Sequence, residues 1–166
     1  MNENNEPVRT PYVVGQALAW LDKLNIPYRY APEANLWEIV YEGRYLLLIN
    51  DSEDNEMGIM APVYISESDD ERIQDIVYEC SVPILESELS PDCDFCYHGN
   101  GLCRVSQWWV SRREQPRLTK KFFSEKLKEM HDTQHRFGLI LRCVYEAMFN
   151  TPRERVEEIL RDLRTD

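Results

Sequence analysis

Apolar residues recur along this chain with two different periods, and the switches between them divide it into elements. Val14, Ala17, Leu18, Leu21 and Leu24 follow one another mostly at three- and four-residue steps, which collects side chains on one face of a helix. Thr10 and Pro11 precede them as an N-cap and a first-turn proline. Asn25 and Pro27 stop them, the first because asparagine tolerates a left-handed backbone, the second because proline cannot continue a helix.

From residue 28 to residue 65 the pattern becomes that of strands. Residues 28–30 predict a short strand, residues 36–41 a second rich in β-branched and aromatic side chains, and residues 44–49 a third. The third is so continuously apolar that it suits a central strand covered on both faces. Glu42 and Gly43 between them form a two-residue hairpin turn, since glycine accepts positive φ. Residues 57–65 predict another strand. Pro62 cannot donate a ladder hydrogen bond, so this strand is expected at a sheet edge or with a bulge there.

Ser68-Asp69-Asp70-Glu71 reads as a capping box with the serine oxygen on the Glu71 N–H. It opens a second helix whose apolar stripe is Ile73, Ile76, Val77 and Cys80. Residues 82–89 and 102–110 predict two further strands, with a cysteine-bearing loop between them. After Thr119, the series Phe123, Leu127, Met130, Gln134, Phe137, Leu141, Val144 and Met148 alternates steps of four and three. That is a coiled-coil-like seam, interrupted by Gln134. Gly138 lies inside it, and a kink or break is expected there. A second capping box, Thr151-Pro152-Arg153-Glu154, opens a last helix lined by Val156, Ile159, Leu160 and Leu163. Strands grouped together with helices set apart indicate an α+β fold. We expect an antiparallel sheet of about five strands with helices packed on it, in the order α-β-β-β-α-β-β-α, over residues 10–150. A C-terminal helical extension would occupy residues 151–166.

Composition narrows the function classes. The 166 residues are 43% apolar, which excludes a disordered chain and supplies a core without disulfides or metal. No stretch approaches the roughly 20 apolar residues of a membrane span. Residues 1–9 are polar and acidic, unlike a secretory signal, so a cytoplasmic location is expected, where five cysteines stay thiols. The net charge of −11 argues against nucleic acid as a partner. It is also unevenly spread: residues 1–100 carry 20 acidic and 5 basic side chains, residues 101–166 carry 10 and 14. Opposite-signed halves can attract each other within one fold or between two copies.

The opening helix around Leu18-Ala19-Trp20-Leu21, then Tyr28-Arg29-Tyr30, then the hairpin Leu36-Trp37-Glu38-Ile39-Val40-Tyr41-Glu42-Gly43 with Arg44-Tyr45-Leu46-Leu47-Leu48-Ile49, and the long helix after Thr119 together carry a resemblance. In this order the chain resembles the type III secretion chaperone-like fold, and within it the YbjN-type family of bacterial sensory transduction regulators. The cysteine-rich loop at 93–103 and the added C-terminal helix depart from that pattern. The resemblance implies a non-enzymatic, often dimeric domain that binds protein segments, and it carries no catalytic residues across.

Candidate chemistry is sparse. Cys93, Cys96, His98 and Cys103 make a complete donor set for structural zinc, although Cys96 and His98 stand closer in sequence than single-ion knuckles usually allow. The plainer reading is unligated thiols in a hairpin loop. A redox dithiol at Cys93 and Cys96 lacks the helix N-terminus that would activate it. His131 and His135, four apart, echo a zinc-protease helix with Asp132 where glutamate would stand; two solvated histidines on a polar face are the expectation. Arg112, Arg113, Arg117, Lys120, Lys121, Lys126 and Lys128 follow Trp108 and Trp109, a pairing that could stack bases but more simply faces solvent. No nucleophile elbow, phosphate loop or dinucleotide fingerprint occurs. The sequence thus points to a non-catalytic domain that binds a protein segment or itself as a homodimer. Trp37, Trp108, Trp109, Phe137 and Leu141 are the interface candidates, with the chain's own core as their competing role. A zinc or redox protein centred on residues 93–103 is the alternative, and a small-ligand sensor with a deep apolar pocket is a third class.

Overall fold

The computed structural model describes residues 12–51, 56–65, 68–89, 93–110, 118–149 and 161–162. Helix α1 (Tyr12–Lys23) leads into strands β1 (Tyr28–Ala31), β2 (Leu36–Tyr41), β3 (Arg44–Asp51) and β4 (Glu56–Tyr64). Helix α2 (Glu71–Glu88), strands β5 (Cys93–Tyr97) and β6 (Leu102–Val110), and helix α3 (Lys120–Phe149) follow. The fold is α+β, with one six-stranded sheet in the order β1-β2-β3-β4-β6-β5. The N-cap at Thr10 and Pro11 and the last helix lie outside the described residues, apart from helical Arg161 and Asp162. By internal contacts the chain forms two compact units, residues 1–61 with 106–131 and residues 62–105 with 132–166.

In the first unit, α1 buries Val14, Ala17 and Leu21 completely. Its end is the motif that asparagine makes possible: Asn25 takes φ 56°, the Ile26 N–H reaches back to the Leu21 carbonyl at 2.9 Å, and the Asn25 N–H to that of Asp22 at 3.2 Å. These bonds satisfy carbonyls the helix would otherwise leave open. The Trp20 indole donates to the Leu118 carbonyl at 2.6 Å, and the Leu118 N–H donates to Gln16 Oε1 at 2.6 Å, so α1 is tied to the segment that starts α3. Across the meander, Tyr30 opposes Trp37, Trp37 opposes Leu48, and Leu48 opposes Ile59. This row points into the core with Ile39, Leu46 and Met57, where Phe123, Leu127 and Met130 of α3 are also buried. The Glu42-Gly43 turn forms as expected, with both residues at positive φ, 48° and 76°.

In the second unit the second helix departs from expectation at both ends. Asp70, not Ser68, is its N-cap, accepting the Arg72 N–H at 3.0 Å; Ser68 Oγ accepts from the Asp70 N–H at 3.1 Å. The Arg72 side chain, then its backbone N–H, hold the Asp70 carboxyl below the usual range. The predicted strand over 82–89 is instead the C-terminal part of α2, which runs through Pro83 to Glu88. Val77, Ser81 and Leu85, four apart, are buried there, so packing overrides the local strand preference of Val82-Pro83-Ile84. Ser81 Oγ bonds back to the Val77 carbonyl at 2.6 Å. The missing strand is supplied by β5, inside what the sequence marked as a cysteine loop.

Strands β5 and β6 join through Gly99, Asn100 and Gly101, all at positive φ (78°, 52° and 73°). The Gly101 carbonyl accepts from the Ile65 N–H at 2.7 Å, and a Cβ at Gly101 would lie 2.7 Å from Gln74 Nε2. Strand β4 is interior, so of the edge or bulge expected from Pro62 the edge does not occur. The β3–β4 register ends at Leu47 opposite Met60, so Pro62 opposes no β3 residue, and its carbonyl accepts from Gln134 Nε2 at 2.8 Å. That bond accounts for the polar interruption in the seam. Helix α3 continues through Gly138 without a break.

Two substitutions test these backbone constraints with opposite signs. Gly101→Ala strains a left-handed position and meets Gln74, and is expected to cost about 1–3 kcal/mol. Glu42→Asn suits a left-handed turn better than glutamate and is expected to add about 0.5–1 kcal/mol. Urea denaturation midpoints measure both.

Candidate functional site

The residues that sequence reasoning singled out do not converge. Trp37 is 3% exposed, Phe137 0% and Leu141 1%, so these three side chains are occupied by the chain's own packing. Trp108 and Trp109 lie in β6, and their side chains fall outside the description. Along β5, alternation puts Cys93, Phe95 and Tyr97 on one face and Asp94 and Cys96 on the other. Cys93 and Cys103 are buried, Cys96 is exposed, and His98 is exposed at the turn. Among the described residues no three Cys, His, Asp or Glu side chains are grouped as metal ligands. His131 is half-buried rather than solvated, its ring edge-on to Tyr41 with centroids 5.5 Å apart. Of the basic stretch, residues 112, 113 and 117 lie outside the described residues, and Lys126 pairs with Glu129 at 2.9 Å.

The buried face of β5 is instead the base of an aromatic cluster. Tyr97 stacks on Tyr78 at 4.4 Å, Phe95 meets Tyr78 edge-on at 6.3 Å, and Phe137 meets Phe95 edge-on at 6.0 Å. The Tyr97 hydroxyl donates to Asp75 Oδ1 at 2.6 Å. Burial first, and that hydrogen bond second, push the Tyr97 phenol up to about 12. Burial, then the neighbouring Cys96, push the Cys103 thiol up to about 12. A thiol held protonated so far above neutrality is not a nucleophile at physiological pH.

Two surface features were not anticipated. The first is the outward face of α2. The sequence assigned Ile76 and Cys80 to the helix's buried stripe, but Ile76 is 42% exposed, Ile84 44%, and Cys80 between them is exposed. The buried face belongs to Gln74, Val77, Ser81 and Leu85. Two polar residues sit there: Gln74 Nε2 donates to the Ser68 carbonyl at 2.7 Å while its Oε1 is buried without a partner, and Ser81 Oγ donates to the Val77 carbonyl. Ile76, Cys80 and Ile84 stand four apart, so each advances only about 40° around the helix, giving an exposed apolar stripe. The detectable signal was an excess: α2 has more apolar positions than one buried face can use.

The second feature is a cleft of about 470 Å³ in the first unit, where the end of α1, the β2–β3 turn and α3 come together. Leu24, Ile26, Val40 and Leu127 form its apolar walls, and Glu42 and Ser124 are polar groups on it. The Val40 N–H donates to the Pro27 carbonyl at 3.0 Å, which fixes two of the walls to each other.

No family model matches the chain, and no curated protein matches it in sequence. Among solved structures, a chain in the crystal structure of the ExsC–ExsE complex is similar to it. The TM-score is 0.53 at 13% identity, over 80% of this chain and 97% of that one. At that identity the likeness is one of fold. Four strands precede α2, as the segments 28–30, 36–41, 44–49 and 57–65 predicted, and the departure is the strand expected over 82–89, which is helix. No helix among the described residues is long and apolar enough to cross a membrane.

The cysteines provide a direct test of this geometry. A thiol reagent at pH 8 is expected to label Cys80 and Cys96 in the folded protein, and Cys93, Cys103 and Cys143 only after unfolding. Mass spectrometry counts the labels. Fast labelling of Cys103 in the folded state would contradict its burial.

Proposed function

We propose that this chain is a non-catalytic, secretion chaperone-like protein-binding domain that self-associates through the outward face of α2. The observation that carries the reading is the stripe of Ile76, Cys80 and Ile84, large apolar side chains left at the surface of a helix whose other face already serves the core. The stripe is symmetric about Cys80. In an antiparallel pair related by a two-fold axis, Ile76 of one copy lies beside Ile84 of the other, and the two Cys80 side chains meet at the axis. A self-complementary patch of this kind favours a second copy as its occupant.

The fold shared with a chain of the ExsC–ExsE complex supports a protein partner, since that structure is itself a complex. The finer resemblance to YbjN-type regulators and a cytoplasmic setting belong to the same proposal. The paired strands of the meander and the burial of Cys93 and Cys103 are compatible with it. The zinc and redox alternatives gain no support from the separation of Cys93 from Cys96 across β5.

Light scattering on the full chain tests the proposal. The protein is expected to be dimeric at micromolar concentration. Ile84→Asp is expected to weaken association at least tenfold, because it places an unpaired charge in a desolvated contact. In the isolated chain the side chain is already largely exposed, so the thermal midpoint should hardly move. Mild oxidation should cross-link the dimer through Cys80 and not Cys96. A strict monomer at high concentration, or a dimer indifferent to Ile84→Asp, would overturn it.

A further inference from the structure

We draw no further inference here: the strongest candidate, the outward face of the sheet in the first unit, where Val40 opposes Tyr45 and Leu47 opposes Met60 and where Val40 and Tyr45 are exposed, is an apolar surface for which nothing in the structure shows what covers it.

Discussion

Covering the inner face of the sheet is the constraint on which the rest of this structure depends. The strands alternate, so Trp37, Ile39, Leu46, Leu48 and Ile59 all project to one side, and a sheet with one such face is stable only when another element closes it. Helix α3 contributes to the core of both units. Its first half buries Phe123, Leu127 and Met130, its second half Phe137, Ile140 and Leu141. A 30-residue helix is about 45 Å long, enough for one stripe to serve the two cores in turn. Gln134 and Gly138 do not interrupt this, because Gln134 takes up the Pro62 carbonyl and the helix hydrogen bonds carry on past the glycine.

Helix α2 solves its packing differently, and its outward face follows from that. Gln74 and Ser81 occupy buried positions where apolar residues would be expected; Ser81 Oγ and Gln74 Nε2 each make a local hydrogen bond, while Gln74 Oε1 is buried without one. The isoleucines that could have taken those positions are outside. An arrangement that leaves apolar side chains in water while burying polar ones is uneconomical for an isolated chain, and it becomes reasonable if the outer face is covered in use.

Both features sit on rigid backbone. The α2 stripe is fixed by the helix itself, whose N-terminus is capped by Asp70. The cleft is fixed by the asparagine-terminated end of α1, the hairpin and α3. The groups that are strongly shifted, Tyr97 and Cys103, are raised mainly by burial, which makes them inert at neutral pH rather than reactive.

What could be read from the sequence alone was whatever is settled within a few residues or by a long period. The end of α1 at Asn25 and Pro27, the Glu42-Gly43 turn and the α3 seam from Phe123 to Leu141 follow from backbone preference and spacing, and the structure has them, whereas Met148, the seam's last member, is 43% exposed. Tertiary packing decided the rest. It kept residues 82–88 helical through Pro83, because Val77, Ser81 and Leu85 had a core to enter. It turned the start of the cysteine loop into β5, and it placed Pro62 in an interior strand just beyond the reach of β3. It also chose which face of α2 meets solvent. A helix with two usable faces does not carry that choice in its own residues; the choice depends on which polar side chains find partners once the neighbouring elements have arrived.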